Sequence, residues 1–254
     1  MTAQNQLYLD LSRYYDQFCS DIDYAEQSEF AQRAWQCFSN SGGRAFLDLA
    51  CGTGQLLKLM EDKGFSISGL DNSQEMLDQT AKRCPDATLL LSDLAEFERH
   101  HEYDLITSFL YSMHYSHPLA AFQQTLCKAY QALKPGGAFV FDAVDKNGIA
   151  NDTGVVSELA LDAEHLTFRS RWFYSGQGDV LDLFLSITRE SNHETQTWDD
   201  HHRMTAITIP NIKQLMQQAG FETTILERDY ARLSEWDGKS SNVIMVGTKP
   251  LLEV

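Results

Sequence analysis

Two carboxylates and a glycine-rich turn have a spacing that suits a charged nucleoside. In the stretch FLDLACGTGQ, Asp48 precedes Gly52 and Gly54, and Asp71 ends the next apolar run. Glycines permit positive φ and let a ligand approach the backbone closely. The helix expected to begin near Gln55 offers free N–H groups and the positive end of its dipole. An acid at the end of the second strand can bind both hydroxyls of a ribose.

The sign of the charges distinguishes two classes of cofactor. A dinucleotide fingerprint needs a small residue where this chain has Leu57, and Asp48 would face the pyrophosphate with like charge. S-adenosylmethionine (SAM) has no phosphate, and it carries an ammonium group and a positively charged sulfur. An acid before the turn suits the ammonium, directly or through water. The pattern therefore favours SAM, and an NAD-dependent oxidoreductase is the alternative.

Short apolar strands alternate with helices around these residues. This alternation is typical of an α/β protein with a parallel sheet covered on both faces. Ligands of such sheets bind beyond the carboxyl ends of the strands, where the glycine turn falls. The strand-like runs are RAFLDLA, FSISGLD, ATLLLSD, YDLITSF and GAFVFDA, and the helical ones are GQLLKLMEDKG, SQEMLDQTAKRC and LAAFQQTLCKAYQALKPGG.

Two other segments flank and interrupt this pattern. Residues 1–40 space their apolar side chains as helices do, in YLDLSRYYDQF and YAEQSEFAQRAWQCF. After about Asn151, apolar and polar residues alternate, which predicts an antiparallel meander before the α/β pattern resumes at Pro210. We predict one domain over residues 1–254. Its N-terminal helical cap at 1–40 and its β-rich insertion at 151–209, after strand five, would close over the site.

Composition argues against several classes of partner. The chain of 254 residues has 20 basic and 36 acidic side chains, a net charge of −16 that repels nucleic acid and anionic membranes. No apolar run approaches the roughly 20 residues of a membrane span. The stretch MTAQNQLYLDLSRYYD lacks the basic and apolar regions of a signal peptide. The 5 cysteines show no C-x-x-C spacing, so we expect reduced thiols and a cytoplasmic location.

The motifs together resemble those of the class I SAM-dependent methyltransferases. FLDLACGTGQ resembles their first motif, with Ala50 where many members have glycine. GLDNSQEML resembles the second-strand motif, LLLSDLAEF the adenine motif, and YDLITSF with LKPGGAFVFD the fourth motif and the turn before strand five. The resemblance spans roughly residues 44–145. It implies a Rossmann-like fold with a seven-stranded sheet whose last strand is antiparallel, and SAM as the cofactor.

The resemblance also implies cofactor contacts. Asp71 would bind the ribose and Met76 would lie under the adenine. Asp93 would accept a hydrogen bond from the exocyclic amine, and the Leu94 N–H would meet the ring. The whole set of expected cofactor residues is Tyr24, Asp48, Ala50, Gly52, Gly54, Gln55, Asp71, Asn72, Met76, Ser92, Asp93, Leu94 and Phe109.

A narrower resemblance covers most of the chain. YYDQFCSDIDYAE, SFLYSMHYS and DDHHRMTAITIPNIKQLMQQAGFE are similar to segments of small bacterial enzymes that include N-methyltransferases of nucleotide-linked amino sugars. By that similarity Tyr24 would bind the SAM carboxylate, and Tyr15 and Tyr115 would face the acceptor. This group uses varied acceptors, so an amino sugar is one possibility among several.

Methyl transfer needs alignment, a dry pocket and removal of a proton from the acceptor. The segment YSMHYSH follows the fourth strand at the edge where SAM should bind, and its Tyr111, His114, Tyr115 and His117 are candidates for acceptor contact. We take Tyr15, His114 and Tyr115 as catalytic candidates. The alternative is that the side chains of this segment only pack or cap the next helix.

A second group of polar residues, Asp199 to His202, lies in the predicted meander. Adjacent side chains on a strand point to opposite faces, so the pair His201 and His202 is a poor metal site and we predict no metal. One of the two histidines would face the substrate and the other would face water.

The sequence therefore predicts a SAM-dependent methyltransferase that acts on a small molecule, at nitrogen in preference to oxygen, as a monomer or homodimer. One alternative is a methyltransferase acting on RNA or protein. Another is a regulatory protein that binds SAM without catalysis.

Overall fold

Helices and strands alternate along the described part of the chain. The computed structural model describes Asp16, Cys19 and residues 21–161, 164–191 and 194–251. The helices are α1 (Tyr24–Phe38), α2 (Gln55–Asp62), α3 (Gln74–Arg83), α4 (Leu119–Ala132) and α5 (Ile209–Ala219), with short 3-10 helices at Ser112–Tyr115 and Lys146–Gly148. The strands are β1 (Ala45–Leu49), β2 (Ser66–Asp71), β3 (Thr88–Leu91), β4 (Tyr103–Ser108), β5 (Leu133–Val144), β6 (Gly154–Leu161), β7 (Glu164–Tyr174), β8 (Val180–Ser191), β9 (Thr195–Thr205), β10 (Glu222–Glu227) and β11 (Asn242–Thr248).

Seven strands form the main sheet, in the order β10-β11-β5-β4-β1-β2-β3. The pairs β1–β2, β1–β4, β2–β3 and β4–β5 are parallel. β11 runs antiparallel to both β5 and β10. The strand order reverses between β1 and β4, and the carboxyl ends of strands at such a switch point form the usual ligand crevice of open α/β sheets.

Helices cover both faces of this sheet. Alternate residues of β1 belong to different buried clusters, with Leu47 in one and Phe46 in the other. The Leu47 cluster includes Phe122 of α4 and Ile212 of α5. The Phe46 cluster includes Phe30 of α1, together with side chains of α2 and α3. The two layers hold the carboxyl ends of the central strands in fixed positions.

Local signals determine where the helices begin and end. The Ser73 side chain accepts a hydrogen bond from the Met76 N–H at 3.2 Å and caps α3. Gly220 ends α5 with a φ of 105°, and a Cβ there would lie 2.8 Å from the ring of Tyr130. α4 ends at Ala132, before the Lys-Pro-Gly-Gly turn in which the pattern predicted its end. The residue before Pro135 is disfavoured in a helical conformation, which accounts for the difference.

Four strands form a second, antiparallel sheet in the order β6-β7-β8-β9. Its inner face carries a buried apolar cluster that includes Leu166, Leu183 and Met204. Tyr115, from the segment after β4, packs against this cluster. The second sheet therefore contacts the segment at the carboxyl edge of the main sheet.

The fold class predicted from the sequence is confirmed: a Rossmann-like seven-stranded sheet with an antiparallel last strand, and an antiparallel β insertion after strand five. The helical pattern YAEQSEFAQRAWQCF is α1, whereas the first pattern of the predicted cap, YLDLSRYYDQF, lies mostly outside the described residues. No helix in the described ranges is long and apolar enough to cross a membrane.

Candidate active site

The glycine turn after β1 has a constrained backbone. Ala50, Gly52 and Gly54 have φ values of 59°, 54° and 79°. A Cβ on Gly54 would lie 2.8 Å from Thr80 Cγ2, and Thr80 Oγ1 donates to the Gly52 carbonyl at 2.7 Å. Ala50 takes the left-handed region at a cost of about 1–2 kcal/mol, which glycine would avoid. Strain of this kind is often found beside functional sites.

Asp71 joins the end of β2 to the glycine turn. Its Oδ2 accepts a hydrogen bond from the Gly52 N–H at 2.9 Å, and its Oδ1 accepts one from the Ser73 N–H at 2.9 Å. Burial raises the pKa of Asp71, and these backbone hydrogen bonds act in the opposite direction. These hydrogen bonds hold the Asp71 carboxylate at the turn, and Asp71 also lines a cavity.

A cavity of about 320 Å³ opens beside the turn. Eight of the thirteen predicted cofactor residues line it. Ala50 and Gly52 form the turn side. The rest of the predicted residues in its wall are Asp71, Asn72, Met76, Ser92, Asp93 and Leu94. Asn72 Nδ2 donates to Asp93 Oδ1 at 3.1 Å, which links the segments after β2 and β3 in the wall.

A smaller cavity of about 40 Å³ adjoins the first at the turn, because Ala50 and Gly52 line both. The other predicted cofactor residues in its wall are Tyr24, Asp48, Gln55 and Phe109. Gly54 lines neither cavity and instead shapes the turn. The structure thus brings twelve of the thirteen predicted residues to two adjoining cavities.

Asp48 is the buried carboxylate of the smaller cavity. It is 5% exposed, and Thr107 Oγ1 donates to its Oδ1 at 2.6 Å. Burial raises its pKa to about 7, and the neighbouring charge of Asp71 adds to this. Burial also raises the pKa of the Tyr24 hydroxyl. Among the described residues that line this cavity none is cationic, and a buried acid in such a place fits the ammonium of SAM.

The polar and apolar groups of the two cavities therefore fit SAM over its whole length. An acid and a tyrosine stand at the small end, where the methionyl group would lie. The carboxylate at the carboxyl end of β2 stands beside the larger cavity, where the ribose would lie. Met76, Asp93 and Leu94 surround the part of that cavity that would take the adenine.

The three catalytic candidates have different positions. Tyr115 lines the larger cavity. His114 is buried outside it: its Nδ1 lies 2.8 Å from the Thr205 carbonyl, and its Nε2 accepts the Val144 N–H at 3.2 Å. Burial lowers the pKa of His114, so its ring is neutral. Because both ring nitrogens contact the backbone, neither is left for a methyl acceptor. Tyr15 lies outside the described residues.

The sequence did not identify a third carboxylate at a strand end. Asp142, fully buried near the end of β5, accepts the Tyr111 N–H at 2.7 Å. Its other oxygen accepts hydrogen bonds from Arg228 Nε and the Tyr230 hydroxyl, each at 2.9 Å. These contacts hold Leu110 and Tyr111, which have φ values of 58° and 60°. Its signal was an acid that ends an apolar run, as at Asp48.

The remaining polar candidates are His117 and the pair His201 and His202, which lies on β9 of the second sheet. His117 lines the larger cavity. Residues missed from the sequence include Ser112 and Glu96 in the same wall, and Thr107, whose signal was a polar residue within the β4 run. Among the described residues no group of three or more histidines, cysteines or acids is arranged to hold a metal ion.

Comparisons with known proteins agree with this geometry. Residues 46–137 match a family model described as a methyltransferase domain. A protein of Geobacillus sp. (strain WCH70), provisionally named a methyltransferase, is 26% identical over 239 residues, which cover 87% of this chain and 90% of that protein. A dTDP-3-amino-3,4,6-trideoxy-alpha-D-glucopyranose N,N-dimethyltransferase of Streptomyces venezuelae is 31% identical over 98 residues, which cover 39% of this chain and 41% of that enzyme.

A solved structure shares the whole fold. The SAM-dependent methyltransferase from Clostridium acetobutylicum ATCC 824 superposes with a TM-score of 0.77 at 19% identity, covering 96% of this chain and 99% of that one. The motifs at the strand ends, the two adjoining cavities and the matched methyltransferase domain lead to one conclusion. The chain contains a methyltransferase domain and has the fold of SAM-dependent methyltransferases, which supports an enzyme that uses SAM as its cofactor.

Proposed function

We propose that the methyl acceptor is a small molecule and that nitrogen is methylated in preference to oxygen. The observation that carries this proposal is the closed side of the site. Tyr115 stands in the wall of the cavity of about 320 Å³ and packs against the second sheet, with its ring 5.6 Å from that of His202. A site bounded in this way suits a small acceptor better than a polymer, because small ligands are bound in enclosed pockets.

Charge supports an amine as the acceptor. Among the described residues of the cavity wall, the charged side chains are carboxylates: Asp71 and Asp93, which we assign to the cofactor, and Glu96. They favour a cationic or amine-bearing molecule and repel an anionic polymer. The net charge of −16 acts in the same direction over longer distances. The similarity to an amino-sugar N,N-dimethyltransferase of Streptomyces venezuelae, over part of the chain, also supports nitrogen.

The protein's own tasks follow from the chemistry that SAM supplies, a methyl group on a positively charged sulfur. The chain must align an acceptor with that group, exclude water and accept a proton. Asp48 and Tyr24 would hold the methionyl end, Asp71 the ribose and Asp93 the adenine. Tyr115 would contact the acceptor, and Tyr15 remains a proposed acceptor residue.

The test is transfer of a radiolabelled methyl group from SAM to a panel of acceptors. The panel pairs amines with the matching alcohols, and it includes amino sugars, nucleotide-linked amino sugars, RNA and unfolded protein. We expect label in the small amines and less in the alcohols. Label in RNA or protein alone would contradict the proposal and support the alternative class of methyltransferase.

We also propose how the enzyme is organised and where it works. Residues 1–254 would form one catalytic domain in which 1–40 and 151–209 close over the site, as a monomer or homodimer. All 5 cysteines are free, which suits a reducing cytoplasm. Light scattering of the purified protein and fractionation of the source cells would test the two statements.

A further inference from the structure

The four polar residues Asp199, Asp200, His201 and His202 lie on β9, the edge strand of the second sheet, and divide between its two faces. Asp200 and His202 point inward and are 6% and 5% exposed. His201 points outward, where its Nε2 lies 2.7 Å from Asp182 Oδ1 and its ring stacks on Phe184 at 4.7 Å. Of the two adjacent histidines, His202 is therefore the one on the side of the main sheet.

His202 belongs to a row of cross-strand neighbours that faces the segment after β4. Leu183 pairs with His202 on one side and with Trp172 on the other. Tyr111 packs against Trp172 with ring centroids 5.0 Å apart, and Tyr115 packs against His202 at 5.6 Å. Since Tyr115 also lines the larger cavity, His202 lies one side chain from that cavity.

Apolar neighbours make this inward pair costly to bury. The cross-strand partners of His202 and Asp200 on β8 are Leu183 and Leu185. Polar groups in such surroundings need partners to offset the cost of their burial. Burial lowers the pKa of His202, although the charge of Asp200 acts against this. The imidazole is consequently neutral and able to accept a proton. A perturbed pair beside a cavity is a candidate for acid–base chemistry.

We propose that His202 takes up, by way of the Tyr115 side chain in the cavity wall, the proton that the methyl-accepting nitrogen loses, and that Asp200, on the same face, stabilises the resulting imidazolium. This inference rests on the proposed function, because it assumes an amine acceptor. The nitrogen of the neutral amine bonds to the methyl carbon, and the carbon–sulfur bond breaks with its electron pair left on sulfur. As this bond forms, a proton of the nitrogen passes to the Tyr115 hydroxyl, whose own proton passes to His202. His114 cannot take this part, since both its ring nitrogens are engaged with backbone.

Matched substitutions test the proposal with an amine that the wild-type enzyme methylates. His202→Gln and Asp200→Asn are compared with His201→Gln and Asp199→Asn, which change the same residue types on the outer face. We expect kcat of H202Q to fall by about 10²–10⁴, the range for loss of a general base. D200N, which is isosteric and tests the pair if H202Q folds poorly, should lose kcat to a smaller extent. The affinity for S-adenosylhomocysteine (SAH), measured by calorimetry, should stay unchanged in all four.

A second measurement needs no acceptor. Sinefungin is an analogue of SAM with an amine-bearing carbon in place of the sulfur and its methyl group, so its ammonium points to the acceptor side. The ratio of sinefungin affinity to SAH affinity should fall several-fold in D200N and stay constant in D199N. If wild-type enzyme methylates no amine of the panel, the proposed function fails and this ratio alone decides the inference. Unchanged ratios in D200N and H202Q, or kcat values within about twofold of the outer-face controls, would overturn it.

Discussion

The carboxylates near the carboxyl ends of β1, β2 and β5 differ in what neutralises them. Asp71 accepts backbone N–H groups, and Asp142 is paired with Arg228. Asp48 is buried, accepts one hydrogen bond from a hydroxyl, that of Thr107, and is exposed to the charge of Asp71. We expect the ammonium of the cofactor to be its cationic partner. This difference predicts distinct responses to substitution.

Substitution of Asp71 should weaken SAM binding. Asp71→Ala removes the expected contacts to the ribose hydroxyls and the two backbone hydrogen bonds that hold the turn. We expect a loss of about 1–3 kcal/mol in binding free energy, the cost scale for hydrogen bonds to a charged group. Calorimetric titration with SAM measures it. Asp78→Ala, an exposed acid on α3, is the control, and equal affinities of the two variants would remove Asp71 from the ribose role.

Substitution of Asp48 should change how the stability of the SAM-free protein depends on pH. Its pKa is about 7 in the folded protein against an ordinary value of 3.8, because burial disfavours the charge. Between these values the folded state holds a proton that the unfolded state releases, so this group's contribution to stability falls as pH rises. The variant Asp48→Asn has no carboxylate at this position, so its stability does not decrease with pH for this reason. Thermal unfolding should therefore show the gain in stability of D48N over wild type to be larger at pH 8 than at pH 5.

The same carboxylate should make SAM binding pH-dependent in the opposite direction. Only ionised Asp48 attracts the ammonium, so the affinity of the wild-type enzyme should rise from pH 6 to pH 8. D48N should bind SAM weakly at both values. Calorimetry across this range measures the effect. A wild-type affinity that is constant with pH would show that Asp48 does not serve as the partner of the ammonium.

At the scale of elements, Asp16 contacts the glycine turn after β1. Asp16 accepts hydrogen bonds from Thr53 Oγ1 at 2.5 Å and from Arg83 Nη2 at 2.6 Å. Arg83 also donates to the Thr53 carbonyl. Thr53 lies between the two glycines of the turn, and the charge of Asp16 contributes to the raised pKa of Tyr24. Asp16 is thereby held beside the small cavity that would take the methionyl group.

Loss of this contact should accelerate release of SAM. Asp16→Asn removes the charge that Arg83 pairs with, at sites where both side chains are about a quarter exposed. Because exposure screens the pair, we expect a modest increase of a few-fold in the dissociation rate, corresponding to about 1 kcal/mol. Stopped-flow displacement of SAM measures it. Asp62→Asn, which breaks an exposed pair with Lys58, should leave the rate unchanged, and a D16N rate equal to that of D62N would contradict the role.

The elements could be predicted where the cause is local. YAEQSEFAQRAWQCF is α1 residue for residue, because the apolar spacing lies within the segment and the capping residue, Asp23, directly precedes it. The glycine turn and Asp71 were predicted for the same reason. What depends on tertiary contacts was not accessible: the burial of His114 between β9 and β5, and the pairing of Asp142 with Arg228, which joins residues far apart in sequence. The register of β9 against β8 decides which of His201 and His202 faces inward. Two adjacent histidines in a sequence do not reveal that register.

At the scale of the whole molecule, the surplus of acidic groups affects how ligands arrive. A net charge of −16 creates a negative potential around the protein that attracts cations and repels anions. The carboxylates of the cavity wall continue this potential into the site. SAM carries a net positive charge at neutral pH, whereas SAH, which lacks the sulfonium, is neutral overall. The two ligands share almost every atom, so they separate electrostatic attraction from shape.

This difference predicts a salt effect on one ligand and not on the other. Raising ionic strength from about 0.01 M to 0.15 M shortens the screening length from about 30 Å to 8 Å, which weakens attraction at a distance. The association rate of SAM should therefore fall several-fold over this range, while that of SAH stays nearly constant. Stopped-flow binding measures both rates. Equal salt dependence of the two would mean that the acidic surface does not steer the cofactor, and a rise of the SAM rate with salt would require a basic entrance to the site.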